Sequence, residues 1–137
     1  LVPVEDEARR WSRTELRELV IARAGYCCDR CGTPLPGKQY SIQHRRARGA
    51  GGRRGNVLDT PANLILLCGS GTTGCHGLIE CEERQRAGYD HGFAIRGEVQ
   101  APEEVPIFRH LTHWVIPSER DGVGLWLPAD PIVPASA

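Results

Sequence analysis

Cys28 and Cys31 flank two residues in Cys28-Asp29-Arg30-Cys31-Gly32, and Cys68 and Cys75 bracket a six-residue Gly/Ser/Thr segment. A C-x-x-C-G turn aims two thiolates at one ion, with backbone N–H groups facing the sulfurs, and the second pair supplies two more. Four thiolates at tetrahedral corners make a closed structural zinc site, which contributes the folding free energy that a small domain with a thin core needs. Cys27 competes with Cys28 for the first ligand position, and the x-x spacing favours Cys28. An even cysteine count also admits a disulfide framework in an extracellular domain, but this spacing speaks for metal. Cys81 reads as a buried thiol on a helix, and the His110-x-x-His113 pair as ordinary strand or loop histidines.

With four cysteines assigned to structure, three polar residues stand where structure alone does not require them. They are His44, Asn63 and His76. Each has a plain structural reading, because a single His is usually a satisfied surface or core residue and Asn63 can simply bond a turn. Beside them runs a one-signed stretch. From Arg30 to Leu58 there are seven basic residues and no acid, and Arg makes up sixteen of the seventeen basic residues in the chain. The planar guanidinium fork suits phosphate oxygens better than an ammonium does. The stretch is either a solvated basic loop or, through Arg45, Arg46, Arg48, Arg53 and Arg54, a clamp on a nucleic-acid backbone, whose contacts would be blind to sequence and weaken steeply with salt.

The elements that must position these residues follow from periodicity. Ser12 and Glu15 have capping-box spacing, and Leu16, Leu19, Val20 and Ala24 recur at helical intervals until Gly25, so residues 13–24 form an amphipathic helix. Strand character centres on Tyr40 and Ile42 and ends at His44. A Gly/Arg-rich loop follows to about Ala62, and the apolar run 63–68 is a second strand that pairs back across it. A short helix is expected from His76 to Ala87, with Glu80, Glu82 and Glu83 early and Arg84 and Arg86 late, the order that complements a helix dipole. In this arrangement both strand ends and the helix start surround one cleft, so His44, Asn63 and His76 can converge. Farther on, Trp114–Ile116 and Val123–Leu127 flank a turn as a hairpin, and 128–137 reads as a loose tail.

A chain of 137 residues, 40% apolar and 25% charged, is sized for one soluble domain. No stretch approaches the roughly 20 apolar residues of a membrane helix, and Leu1–Trp11 lacks the order of a secretion signal, so the expected address is the cytoplasm. The expected class is small α+β: an N-terminal helix over 1–25, a core over 26–97, and a Pro-rich C-terminal β-hairpin extension over 98–137.

Two segments carry a more specific likeness. Ser41-Ile42-Gln43-His44-Arg45-Arg46-Ala47-Arg48-Gly49 and the run from Pro61 through Asn63-Leu64-Ile65-Leu66-Leu67-Cys68 to Gly74-Cys75-His76-Gly77 resemble the HNH endonucleases of tailed bacteriophages, over about Tyr26 to Ile95. The resemblance implies a treble-clef, ββα-metal core with a structural zinc on four cysteines, and metal-dependent hydrolysis of DNA phosphodiesters in the bacterial host. It makes His44 the general base, Asn63 the residue that ties down the loop and aims His44, and His76 a ligand of a catalytic divalent ion such as Mg, Mn or Ni. Gln43 stands where the family usually carries Asp or His as a second ligand, and brings an uncharged oxygen. Glu80, one turn beyond His76, either completes that site or is a solvated helix charge. DNA is the implied partner, with phage terminase or portal proteins as further ones. The rival expectation is a zinc-stabilised DNA-binding or terminase-interacting module without catalysis.

Overall fold

The computed structural model describes residues 11–47, 58–81, 84–97 and 100–133. The first helix, α1 (Arg13–Ala24), starts where the capping box predicts: Ser12 Oγ accepts from the Glu15 N–H at 3.0 Å, and Glu15 Oε1 accepts from the Ser12 N–H at 2.9 Å. Gly25 ends it in the left-handed region at φ 67°. Its buried stripe is Leu16, Leu19, Val20, Arg23 and Ala24. Arg23 belongs there because its guanidinium donates to the carbonyls of Pro61 (2.9 Å) and Leu64 (2.6 Å).

Strands β1 (Tyr40–His44) and β2 (Leu64–Cys68) pair antiparallel, in register from Tyr40 opposite Cys68 to His44 opposite Leu64. Leu64 to Leu67 are all buried, because α1 and a short helix, α2 (Gly74–Glu80), both pack on β2. Val20, Leu35, Ile65, Leu66, Leu67, Ile79, Phe93 and Ile107 form the fully buried centre. Each such side chain contributes about 1.5–3 kcal/mol of transfer free energy.

The expected helix from His76 to Ala87 is corrected at both ends. α2 begins two residues earlier and stops at Glu80, and a separate wide turn spans Arg84–Tyr89. The apolar stripe was too thin to carry one straight helix through. Breaking the chain at Cys81 instead lets Ala87 and Gly88 bury, with Gly88 against Ala94 and Ile79.

The C-terminal third forms a three-stranded antiparallel sheet of β3 (Ile107–Arg109), β4 (His113–Arg120) and β5 (Val123–Pro128), rather than a bare hairpin. β4 runs on to Arg120, which pairs with Val123, so the connection is the two-residue turn Asp121-Gly122 with both φ positive (53° and 83°). Asp-Gly suits that turn because its twist matches the strands. The three-residue β3 is too short to show alternation. β5 packs on α1, where the Trp126 indole N–H donates to the Arg23 carbonyl at 2.8 Å and the Arg23 and Arg109 guanidiniums each lie 4.6 Å from the Trp126 ring centroid. No helix among the described residues is long and apolar enough to cross a membrane.

Candidate metal centre and hairpin-end polar residues

The sulfurs of Cys28, Cys31, Cys68 and Cys75 all lie within 4.8 Å of one another, and those of Cys31 and Cys68 are 3.9 Å apart. Four sulfurs on one zinc at about 2.3 Å would stand ~3.8 Å apart, so the donor set and its spacing fit a tetrahedral thiolate ion. The Cys28–Cys31 turn donates its Cys31 N–H to the Cys28 sulfur, and Cys75 N–H donates to the Cys68 sulfur, both at 3.4 Å. The second pair reaches this geometry despite its wide spacing because Gly69 (φ 88°) and Gly74 (φ 63°) pinch the loop shut. A Cβ at Gly69 would meet the Thr73 carbonyl oxygen at 2.1 Å. Hydrogen bonding from the Cys75 thiol holds the Cys28 thiol well below its ordinary value, which marks Cys28 as a ready thiolate. Arg30 donates to the Cys75 sulfur at 3.4 Å and offsets the charge of the cluster.

Cys27 lies outside this group, with its thiol on the Gly25 carbonyl at 3.4 Å, so Cys28 takes the first position. Cys81 is not the buried helical thiol expected. It is exposed, because α2 ends one residue before it. His110 sits in the β3–β4 turn beside Gly32 of the cysteine turn, and His113 opens β4 with its Nδ1 on Thr112 Oγ1 at 2.8 Å. Asp29, fully buried, binds the cysteine turn to both sheets: its carboxylate accepts from the Leu66 N–H (2.9 Å) and from Arg109 Nε (3.2 Å). Burial raises its pKa to about 6 against the opposing pull of the Leu66 N–H, Arg23 and Arg109.

Alternation along β1 sorts the polar residues onto two faces. Ser41 and Gln43 point to α2: Ser41 Oγ is 2.7 Å from His76 Nδ1, and Gln43 Nε2 donates to Glu80 Oε2 at 2.9 Å. His76 Nε2 lies 3.8 Å from the same Glu80 oxygen, and Glu80 Oε1 accepts from Arg84 at 3.2 Å. Gln43, His76 and Glu80 are thus brought together. Burial lowers the pKa of His76, with Glu80 pulling the other way.

His44 takes the opposite face with Ile42, beside α1, where its Nε2 meets Asp59 Oδ1 at 2.8 Å. The expected convergence of His44 with His76 on one cleft is therefore corrected: neighbouring residues of a strand point to opposite faces, so Gln43 and Glu80 join His76 whereas His44 joins Asp59. Asn63 is fully buried just before β2, at the open end of the hairpin. Its Oδ1 accepts from the Arg46 N–H at 2.9 Å, and its Nδ2 donates to the carbonyls of Leu58 (3.0 Å) and Arg46 (3.3 Å). The amide thereby pins backbone two residues after His44 and one residue before Asp59.

The arginine clamp needs a correction. Arg45 is wholly buried, and its guanidinium donates to the carbonyls of Gly92, Ala62, Pro102 and Val105 at 2.6–3.0 Å. A side chain spent on four interior carbonyls cannot reach a phosphate, and it serves as a strut between the core and the C-terminal third. Arg46 is half-buried, with its guanidinium on the Gln100 carbonyl. Arg48, Arg53 and Arg54 lie outside the described residues. Sequence reasoning missed Asp59 and Ser41. The one signal for Asp59 is that it is the first acid after the basic run.

Comparison of the chain with protein-family models, with curated proteins and with solved structures finds no match in any of the three. The described residues therefore stand by themselves: a small α+β fold with two antiparallel sheets, a cysteine cluster fit for a metal ion such as zinc, and two polar groups on opposite faces of one strand.

Proposed function

We propose that the chain is a metal-dependent endonuclease of the HNH kind, with a treble-clef, ββα-metal core that hydrolyses DNA phosphodiester bonds. One observation carries the reading: the buried Asn63 amide fixes the backbone at both ends of the β1–β2 loop, and so aims a partly exposed imidazole, His44, already paired with a carboxylate, Asp59. A carboxylate only accepts hydrogen bonds, so His44 Nε2 carries the proton and Nδ1 keeps its lone pair. His44 takes a proton from water at that nitrogen, and Asp59 stabilises the imidazolium that results. The succession β1, β2, α2 agrees with the ββα order that the resemblance implies.

His76, Glu80 and Gln43 would hold the divalent ion, as one imidazole, one carboxylate and one amide. This donor set fits Mg, Mn or Ni, and burial, opposed by Glu80, shifts the His76 ring toward the neutral form that ligates. Such an ion, when bound, would supply Lewis-acid stabilisation of phosphate charge from the α2 side, and the nuclease reading requires a phosphodiester at the end of β1 that His44 reaches from the α1 side. Gln43 turns its NH2 toward Glu80, and rotation of the amide presents its oxygen there instead.

The second reading, a zinc-stabilised DNA-binding or terminase-interacting module, draws on the placement of His44 and of the Gln43–His76–Glu80 group on opposite faces of β1. Plasmid incubated with Mg²⁺, Mn²⁺ or Ni²⁺ separates the two. Nicking by the parent, lost in His44→Ala and in His76→Ala, supports the nuclease. Equal DNA binding with no nicking by all three overturns it in favour of the module.

A further inference from the structure

His44 and Asp59 open into a cavity of about 310 Å³ between β1 and the first half of α1. Its floor is Ile42 and Leu64, and its outer wall is Arg13 and Arg17. Those two arginines stand four residues apart and so share one edge of the helix. Both are exposed. Arg17 is held in place by its Nη2 donating to the Tyr40 hydroxyl at 2.9 Å, and Tyr40 is braced edge-on by Tyr26 at 5.7 Å between ring centroids. Among the described lining residues two guanidiniums face one carboxylate, Asp59, which meets the His44 imidazole. The described lining is therefore net positive, with an apolar floor. A water's share of liquid volume is about 30 Å³, so the space holds a phosphate and its flanking sugar atoms.

We infer that this cavity is a DNA-backbone subsite in which Arg13 and Arg17 of α1 seat a phosphodiester against His44. The inference rests on the proposal that DNA is the substrate, and deepens it. It adds the helix that His44 faces to the expected phosphate contacts, from which the buried Arg45 drops out. A guanidinium pair on a rigid helix meets phosphate oxygens with little ordering cost, because α1 is capped at both ends and packed on β2.

The test is fluorescence anisotropy of a labelled duplex across a salt series, without added divalent ion. The proteins are the parent, Arg13→Ala/Arg17→Ala, Arg13→Lys/Arg17→Lys, and Arg86→Ala/Arg120→Ala, which removes the same charge at exposed sites elsewhere. Each phosphate contact contributes about 0.9 to the slope of log K against log salt. The groove variant should lose about 1.8 of that slope and bind on the order of tenfold or more weakly at low salt. The Lys pair should keep most of the slope, and the control pair should match the parent. Inorganic phosphate at equal ionic strength should compete weakly, since the subsite takes a phosphate carried by a strand. Each single Arg→Ala variant is measured too, so that misfolding of the double variant does not decide the result. Equal slopes in the groove and control variants, with the parent binding DNA, overturn the subsite and leave the nuclease reading standing. A parent that neither binds nor cuts DNA overturns both.

Discussion

The His44 imidazole meets the Asp59 carboxylate at 2.8 Å across the open end of the β1–β2 hairpin, although fourteen residues separate them in the chain. If His44 is the base, Asp59 holds its tautomer. Asp59→Asn should then lower the nicking rate about tenfold or more, and His44→Ala about 100-fold or more, with melting temperatures close to the parent's. Equal rates in the Asp59→Asn variant and the parent would remove Asp59 as a positioning residue.

Asn63 is predicted to be worth more to folding than its size suggests. Asn63→Ala removes three hydrogen bonds and strands the Arg46 N–H and the Leu58 carbonyl in the interior. Urea unfolding should show a loss of about 2–3 kcal/mol, and the variant should also lose nicking. A change within about 0.5 kcal/mol would mean that the loop is held by other contacts.

Arg45 should behave as a strut. Arg45→Ala leaves four interior carbonyls without their donor, and about 3–5 kcal/mol of stability should be lost. Arg45→Lys should recover only part, because a single ammonium cannot span the same fork. The salt slope of DNA binding by the folded Lys variant should equal the parent's. A reduced slope would return Arg45 to the phosphate contacts.

Metal content should be one retained zinc per chain, measured by native mass spectrometry. Cys28→Ser or Cys75→Ser should lose it and melt at lower temperature, whereas Cys27→Ser and Cys81→Ser should keep it. Zinc lost equally from the Cys81→Ser variant would break the assignment.

His91 supplies the pH prediction. Its ring lies against Phe108 and Trp114, 5.2 and 6.3 Å between centroids, and burial followed by Arg30 lowers its pKa below 6.5. The unfolded chain then binds the proton more readily than the folded one. This contribution to stability is complete above about pH 6.5 and is lost as pH falls through the folded value. His91→Phe has no such group, so its stability relative to the parent should rise between pH 7 and pH 5 in paired thermal melts. A constant difference over that range would show that His91 titrates normally.

Local signals were legible wherever a residue's partners lie close in the chain or where spacing alone determines direction. Ser12 and Glu15 placed the start of α1, Gly25 its end, and the Tyr40 and Ile42 positions with the apolar run 63–68 the β1–β2 pair. The cysteine spacing selected the four sulfurs that converge, because a C-x-x-C turn has few conformations open to it.

Tertiary structure decided what depends on which face a residue finds and on what long-range packing demands. One residue of register along β1 sends Gln43 to α2 and its neighbour His44 to α1, and no local pattern says that each face meets a different helix. Arg45 reads as a surface charge in a basic run, and is drawn inside only because Gly92, Ala62, Pro102 and Val105 bring four carbonyls to one point from distant segments. α2 stops at Glu80 for the same reason: burying Ala87 and Gly88 against Ile79 and Ala94 outweighs continuing a helix with little apolar surface to hide. Composition and spacing determine which local structures and ion ligands a chain can form, whereas side-chain exposure is set by contacts between segments far apart in sequence.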